Sequence, residues 1–570
     1  MDKLTLFSEG LSHNKICCTY KEKHNRGVTT VNQEQKEKKH PSIFEPFSLL
    51  LNVITAVFGA IIGMQIITTL GVTPNTSIIG ALIAMLIARI PVTLFRKYKS
   101  IHRQNLVQTS ISASTFGAAN SLLIPIGIPF LMGAPELIIP MLIGAALAMF
   151  VDAAILYKIF DSKLFPASGT WAPGVATAES ILAGDKGGKR AGLLGLGTGI
   201  GILGAYLHIP MSAFGVAFIG NIWALSMFGI GLLFRQYSIP VFGVDVNALY
   251  IPHGIMIGAG IVALIQVSIL LFKKPTGSAA NANNEVAAAL EAAEDAVHTR
   301  PIKEAKKALG LGFLAYAAVA VVIAITGGII TDMSSGMLIG FIIFAAFAAF
   351  VHEIIVGIAA MHSGWFPAFA VAFITLLIGM MIGFPPLALA LLAGFSAATG
   401  PAFADMGYDF KTGHILRGNG EDKAYELAGR KSQYITAMIA FGVALLTVLV
   451  TYKGYFAQNL VPPIDTVYVS TIKAGTSSEV AMQLLLWAIP GAILQLIGGP
   501  SRQIGVMFAT GLLILTPNAC WAVLAGIAIR LIWKKAKGKE ADTPMSIMAA
   551  GFIAGDALFS FFNSVFKLNK

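Results

Sequence analysis

The stretch "FSLLLNVITAVFGAIIGMQIITTL" (47–70) contains no charged residue. A helix needs about 20 apolar residues to cross the hydrocarbon core of a bilayer, so this stretch is long enough to span a membrane. A second uncharged stretch, "ALGLGFLAYAAVAVVIAITGGII" (308–330), has a similar length and character. Together they predict a polytopic integral membrane protein.

The composition of the whole chain agrees with this prediction. Of the 570 residues, 56% are hydrophobic and 12% are charged, which is about half the charged fraction of a typical soluble domain. Lipid offers no partner to unpaired backbone amides, and the apolar runs do not alternate as barrel strands do. We therefore predict an all-α polytopic bundle of about 16 membrane segments.

Basic residues mark the expected topology. Residues 1–45 include eight Lys or Arg, and the positive-inside rule makes this polar tail cytoplasmic. The basic loops "RKYKSIHR" (96–103) and "KKAKGK" (534–539) are expected inside, whereas "GAPE" (133–136) and "GFPP" (383–386), which lack basic residues, are expected outside. The net charge of +11 thus indicates topology and not a nucleic-acid partner. No cleavable signal peptide is recognised, and we expect a multi-pass protein of the plasma or inner membrane.

The chain contains two halves that resemble each other. A linker at 273–307, expected to be cytoplasmic and to contain a helix, separates a first half (46–272) from a second (308–570). "GAPELIIPMLIGA" (133–145) aligns without a gap on "GFPPLALALLAGF" (383–395). Chance similarity between apolar helices is the alternative for any one match. Further matches occur in the same order, Trp223-Ala224 with Trp487-Ala488 and Arg235-Gln236 with Arg502-Gln503. We predict tandem repeats of one orientation, with an extra span at about 545–566.

Polar residues interrupt the apolar segments at a few places. The interruptions are "NLVQTSISASTFGAAN" (105–120), "FPASGTWAPGVATAESILAGDKGGKRAG" (165–192), "HEIIVGIAAMHSGWFPAF" (352–369) and "GPAFADMGYDFKTGHILRG" (400–418). Broken helices at a repeat interface can present backbone groups to a solute, and an ionisable residue at membrane depth is a functional hypothesis by default. We predict a solute site formed by residues from all four stretches: Gln108, Thr109, Ser112, Glu179, His362 and Asp405.

Each candidate also has a structural interpretation. Glu179 could cap a helix at the interface, and His362 could be a buried, hydrogen-bonded histidine. Small polar residues such as Gln108, Thr109 and Ser112 also hold membrane helices together. Asp405 and Glu179 are the candidates for proton coupling. Four further aspartates are expected at helix ends, caps or packing sites: Asp152, Asp245, Asp332 and Asp556.

Four short motifs occur in order along the chain: "NLVQT" (105–109), "FPASGTWAPGVATAE" (165–179), "DFKTG" (409–413) and "GFIAGDAL" (551–558). Their order resembles the oligopeptide transporter (OPT) and yellow-stripe-like transporter family. The resemblance implies a secondary transporter of peptides, modified peptides or metal-chelator complexes, usually coupled to protons. It also assigns a motif role to Asp409, Lys411, Thr412 and Gly413, where Asp409 and Lys411 could instead form a structural pair. Extra residues between Pro166 and Glu179 depart from the family pattern, so the resemblance does not identify the transported solute.

Other function classes find little support in the sequence. Walker-type phosphate loops and the Gly-x-Ser-x-Gly nucleophile elbow do not occur, and "HEIIV" (352–356) lacks the second histidine of a zinc protease. Cys17, Cys18 and Cys520 have no metal-ligand spacing. We predict no enzyme, metal or cofactor, but a proton-coupled transporter of oligopeptides or metal chelates that works by alternating access. A transporter of another organic solute, a passive channel and an intramembrane enzyme are the alternatives, and homo-oligomerisation stays open.

Overall fold

The computed structural model describes residues 40–70, 76–91, 93–272, 298–364, 366–475, 478–514 and 518–567. Within this part of the chain, the contacts from Ser42 onward form one compact unit. The polar tail before residue 40, residues 71–75 and the linker up to residue 297 lie outside the described residues. The end of the predicted linker, from Ile302, already belongs to a long helix.

The first half of the described chain is a series of helices. Short 3₁₀ segments at Thr93–Lys99 and Pro135–Leu137 and a π-helical turn at Gly117–Leu123 interrupt the α-helices. The α-helices are α1 (Pro46–Leu70), α2 (Thr76–Arg89), α3 (Ile101–Phe116), α4 (Ile124–Met132), α5 (Ile138–Ile159), α6 (Ala172–Lys186), α7 (Gly188–Tyr206), α8 (Met211–Ile219), α9 (Ile222–Phe242) and α10 (Ile251–Phe272).

The second half is also helical, with a 3₁₀ turn at Gly538–Ala541. Its α-helices are α11 (Ile302–Thr326), α12 (Ser335–Ser363), α13 (Ala368–Ile382), α14 (Pro386–Ala398), α15 (Pro401–Leu416), α16 (Lys423–Ala457), α17 (Pro463–Ala474), α18 (Ser478–Arg502), α19 (Ile504–Leu513), α20 (Ala519–Lys537) and α21 (Asp542–Lys567). The described part of the chain contains no β-strand, and the predicted all-α fold is confirmed.

Nine helical stretches of the described residues are long and apolar enough to cross a membrane. The longest are Ile101–Met132, Pro386–Leu416 and Lys423–Ala457. The first of these follows a continuous helical path through the π-helical turn, so residues 104–132 have the length of a full crossing. Shorter apolar helices such as Ala368–Ile382 accompany the candidate spans. The chain is therefore a multi-pass membrane protein.

Proline and glycine explain where several helices stop. α14 and α15 are separated at Thr399 and Gly400, and Gly400 has a φ of 94°, which a residue with a side chain rarely adopts. α12 ends at a left-handed Gly364, with a φ of 73°. Pro367 precedes α13, and Pro173 lies in the first turn of α6, where a missing amide hydrogen is tolerated. These breaks surround the candidate site.

The two stretches aligned at positions 133 and 383 fold alike. Gly133 ends α4 with a φ of 77°, and Gly383 ends α13 with a φ of 94°. A proline begins the next helical segment in each case, at Pro135 and Pro386. The second pair of aligned stretches differs, because Arg235 lies inside α9 whereas α18 is kinked at Gly499 before it reaches Arg502.

The glycines of "GFIAGDAL" allow α21 to pack directly against α7. A methyl group on Gly555 would lie 2.3 Å from the carbonyl oxygen of Thr198, and one on Gly201 would lie 2.7 Å from that of Phe552. Such backbone contacts are typical of membrane helices with small residues four positions apart. This contact fixes Asp556, the next residue of α21, against the candidate site.

Candidate functional site

A cavity of about 510 Å³ lies where the helix breaks meet. Pro173 in the first turn of α6, Gly364 after α12 and Pro401 at the start of α15 contribute to its wall. Asn120 of the π-helical turn also lines it, so both halves of the chain contribute. Binding sites for small organic molecules commonly measure about 300–1,000 Å³.

Two groups in the wall are suited to bind a polar solute. Tyr408 of α15 lines the cavity, and its hydroxyl is buried without a hydrogen-bond partner. Buried tyrosine hydroxyls normally find one, so this hydroxyl is available to a bound molecule. Asp556 of α21 also lines the cavity and accepts a hydrogen bond of 2.7 Å from the Ser212 amide. That amide belongs to the first turn of α8, which lacks intrahelical acceptors.

Behind the cavity wall, α3 and α15 are joined by two buried polar pairs. Ser112 Oγ donates to Asp405 Oδ1 at 2.6 Å, and Gln108 Nε2 donates to Asp409 Oδ1 at 2.6 Å. All four residues are fully buried. Each helix contributes residues four positions apart, which lie on one helix face. The structure therefore brings together two of the polar stretches that the sequence singles out, one from each half.

Asp405 lies close to the cavity without lining it. Pro401 and Tyr408 line the cavity on the same helix, and Asp405 is one turn from each of them. Its second oxygen, Oδ2, is buried and has no hydrogen-bond partner. A carboxylate that has one unpaired oxygen beside a cavity can bind and release a proton or a solute.

Thr109 has a packing role. Gln433 of α16 donates to Thr109 Oγ1 at 3.2 Å and to the carbonyl oxygen of Asp409 at 2.7 Å, and Arg417 donates to Gln433 Oε1 at 2.8 Å. Gln433 thus connects α3, α15 and α16. Gln433 could not be singled out from the sequence, because a single glutamine near the start of a long helix has no distinguishing pattern.

The "DFKTG" motif fastens α15 to the segment that leads into α6. Lys411 Nζ donates to the carbonyl oxygen of Ala167 at 2.7 Å, and Thr412 Oγ1 donates to that of Gly174 at 3.0 Å. At Gly413, a methyl group would lie 2.0 Å from Gln433 Oε1, so a larger residue would have to displace the Gln433 side chain. Asp409 binds Gln108 instead of Lys411, because residues two apart lie on different faces of a helix. In this structure Asp409 and Lys411 therefore bind different partners, and the role of the motif stays a prediction.

Glu179 and His362 lie outside the cavity wall. Glu179, on α6, interacts with Lys186 and Arg190, and its Oε2 is buried without a hydrogen-bond partner. His362 is in the last turn of α12, two residues before Gly364. Its carbonyl oxygen accepts a hydrogen bond from the Asn221 amide.

Most residues that line the cavity were not predicted from the sequence. Tyr408 stands inside the polar stretch 400–418, and its spacing of seven from Pro401 places both on one side of a helix. That spacing was the available signal. Asp556 lies in the middle of α21 and its side chain caps the start of α8, which is one of the roles expected of it, but its position in the cavity could not be predicted from the sequence.

Comparison with known protein families agrees with the membrane fold. The family model described as OPT oligopeptide transporter protein matches residues 46–272 and 236–567. No curated protein sequence matches the chain. The family match covers most of the chain, and its extent coincides with the helical region that encloses the cavity. The chain belongs to the OPT family of membrane transporters.

Proposed function

We propose that the protein is a secondary active, proton-coupled transporter of oligopeptides or of peptide-like or metal-chelate solutes. The observation that carries this proposal is the cavity enclosed by helix breaks from both halves of the chain. A peptide or a chelate offers amide, amino and carboxylate groups. The Tyr408 hydroxyl can bind an amide or a carboxylate, and the Asp556 carboxyl can bind a positively charged amino group.

Alternating access is the proposed mode of transport. The cavity is bounded by segment ends, at Pro173, Gly364 and Pro401, and segment ends are where backbone angles change when elements move. We propose that the two halves are tandem repeats of about 16 membrane segments in total, and that their relative motion opens the site to one side at a time. The like-folded corners at Gly133 and Gly383 support the repeat.

Asp405 and Glu179 are the proposed coupling carboxyls. A bound proton drives transport only if its affinity differs between the two access states. Asp405 is favoured because its unpaired Oδ2 is beside the cavity wall and its Oδ1 connects α15 to α3 through Ser112. Glu179 is the second candidate, because the positive charges of Arg190 and Lys186 act on it and favour its ionised form. Gln108, Thr109, Ser112 and His362 support the site from behind.

Uptake into proteoliposomes tests the proposal. Wild-type protein should accumulate a di- to hexapeptide or a chelate of iron, nickel or copper saturably, and more strongly under an inward proton gradient. Asp405→Asn should lose the response to the gradient. Glu304→Gln, at an exposed side chain, is the control and should behave as the wild type does. Full gradient-driven uptake by Asp405→Asn would remove Asp405 from the mechanism, and flux that never saturates would favour a channel.

The proposed topology has its own test. The cytoplasmic tail (1–45) contains Cys17 and Cys18, whereas Cys520 is buried. In right-side-out vesicles of the plasma or inner membrane, a membrane-impermeant maleimide should leave the tail unlabelled until the vesicles are opened. Labelling of Cys17 and Cys18 in sealed vesicles would place the N-terminus outside.

A further inference from the structure

Three buried polar side chains meet at a place that the proposed solute site does not include. Asp152 comes from α5, Tyr316 from α11 and Glu353 from α12, and all three are fully buried. The Tyr316 hydroxyl lies 2.5 Å from Asp152 Oδ1 and 3.0 Å from Glu353 Oε2. The hydroxyl therefore bridges two carboxyl groups.

The number of protons constrains this arrangement. A tyrosine hydroxyl has one proton and can donate to only one carboxyl group, whereas an ionised carboxylate can only accept. Both short contacts are hydrogen bonds only if one carboxyl group is itself protonated and donates to the tyrosine oxygen. Two ionised carboxylates so close together and away from water would also repel each other strongly. The cluster therefore holds two protons, one on the tyrosine hydroxyl and one on a carboxyl group.

Asp152 is the better placed of the two carboxyl groups to carry the negative charge. Its Oδ2 accepts a hydrogen bond of 2.6 Å from the Gly400 amide, and the Phe403 amide interacts with the same carboxyl group. Both amides belong to the start of α15, where unpaired amides and the helix dipole favour a negative charge. Glu353 has no such donor, and its Oε1 is buried without a partner. The carboxyl proton therefore belongs to Glu353.

No other charge is placed to neutralise Glu353 among the described residues. Asp152 and Tyr316 are the titratable groups that interact with it. The side chain of His352, the neighbour of Glu353 on α12, has other partners. Its Nδ1 lies 3.3 Å from Ser396 Oγ and 3.4 Å from Thr399 Oγ1.

The other helices packed on α12 direct their titratable groups elsewhere. On α15, Asp405 accepts from Ser112, Asp409 accepts from Gln108, and Lys411 donates to the carbonyl oxygen of Ala167. The charged residues of α11 lie in its first two turns, at 303–307, at least nine residues before Tyr316. His253 of α10 packs against Phe373, Arg235 of α9 binds Asn247, and Glu179 of α6 faces Lys186. α13, α14 and α19 have no charged residue. Glu353 is therefore controlled by the cluster alone.

We propose that Glu353, Tyr316 and Asp152 form a proton-binding site that controls the break between α14 and α15. Asp152 binds the Gly400 amide at that break, and Pro401, the next residue, lines the solute cavity. When Glu353 is protonated, Tyr316 donates to Asp152, and Asp152 holds the start of α15. Loss of the proton from Glu353 places a second negative charge beside Tyr316, so the contacts that hold Gly400 rearrange. This inference rests on the proposed transport function, because the break matters through the cavity that it lines.

Infrared spectroscopy of the purified full chain tests the proton without requiring transport. The wild type at neutral pH should show the carbonyl stretch of a protonated carboxylic acid that disappears in Glu353→Gln. Tyr316→Phe should keep this band but shift it, because the carboxylic acid loses its hydrogen-bond acceptor. Glu304→Gln, the exposed control, should leave it unchanged. A Glu353→Gln spectrum identical to the wild-type spectrum in this region would overturn the proposal.

Transport assays then test the coupling. Glutamine resembles a protonated glutamate, so Glu353→Gln should retain solute exchange across the membrane at equal pH. Its accumulation under a proton gradient should fall by about tenfold, within the usual range of coupling between sites. Wild-type accumulation by Glu353→Gln would overturn the role of this cluster and leave the transport function standing. Absence of solute exchange by the wild type would instead overturn the proposed function, and the infrared result would still decide whether Glu353 holds a proton.

Discussion

At the scale of single residues, we expect the recognition of a solute to depend most on Tyr408. Its hydroxyl has no partner in the protein although the side chain is 1% exposed. Tyr408→Phe removes one hydrogen bond to the solute and leaves the ring in place, so solute affinity should fall by up to about tenfold. Equilibrium binding to the purified protein measures this change.

Tyr468 provides the matched control for Tyr408. It also lines the cavity, but its hydroxyl donates to the carbonyl oxygen of Phe369 at 2.8 Å. Tyr468→Phe should therefore lower the melting temperature more than the affinity. Equal affinities for Tyr408→Phe and wild type would show that the free hydroxyl does not contact the solute.

The ionised carboxylate of Asp161 stabilises the loop after α5. Burial alone would raise its pKa, but hydrogen bonds from Thr299 and the charge of Arg430 outweigh burial, and the pKa lies below its ordinary value of 3.8. Thr299 Oγ1 donates to Asp161 Oδ2 at 2.7 Å. Because the folded-state pKa is lower than the unfolded-state pKa, ionised Asp161 stabilises the fold above about pH 4. This stabilisation is lost as the pH falls through the folded-state pKa.

Asp161→Asn should lower the free energy of unfolding at pH 7 by about 1–3 kcal/mol, the usual contribution of a hydrogen bond to a charged group. The difference from the wild type should shrink at about pH 3. Thermal unfolding in detergent at both pH values measures the effect. A wild-type melting temperature for the variant at pH 7 would contradict the account.

At the scale of helices, the contact between α7 and α21 fixes one wall of the cavity. Gly555→Ala would place a methyl group 2.3 Å from a backbone oxygen of α7, and the helices would have to separate. We expect a loss of about 1–3 kcal/mol in the free energy of unfolding, typical of overpacking. Solute affinity should fall as well, since Asp556 would move with α21.

Gly199→Ala is the control for this prediction. Gly199 lies on α7 too, but a methyl group there would meet no other atom within 4 Å. Replacing glycine by alanine inside a helix should then stabilise the protein slightly. Equal melting temperatures for Gly555→Ala and Gly199→Ala would show that the close helix contact is not needed.

Helices and polar interruptions could be predicted from the sequence, but not the contacts between distant helices. Apolar length predicts α1 and α11 directly, and glycine with proline predicts the corners at Gly133 and Gly383. The spacing of four in Gln108 and Ser112 and again in Asp405 and Asp409 fits helix faces. Nothing local shows that these faces meet, because the paired residues are about 300 positions apart in the chain. The sequence also does not show how deep a residue lies in the membrane. For that reason the positions of Asp556 and Glu353 could not be predicted.

At the scale of the whole molecule, the described helices form one unit, and the cavity draws its wall from both halves of the chain. The polar side chains that the sequence places far apart are arranged in layers. Tyr408 and Asp556 line the cavity, Asp405 lies directly behind it, and the cluster around Tyr316 holds the helix break beside it. A solute bound in the cavity can therefore affect buried carboxyl groups without touching them.

The most direct test of the central claim is whether a solute binds in this cavity. The purified full chain is titrated in detergent with di- to hexapeptides and with chelates of iron, nickel and copper, and its melting temperature is recorded. Ser560→Trp would fill the cavity that Ser560 lines, and Ser470→Trp, on the exposed face of α17, is the control. At least one solute should raise the melting temperature of the wild type and of Ser470→Trp with the logarithm of its concentration, but not that of Ser560→Trp. An equal rise for Ser560→Trp, or no rise for the wild type with any solute, would contradict the account.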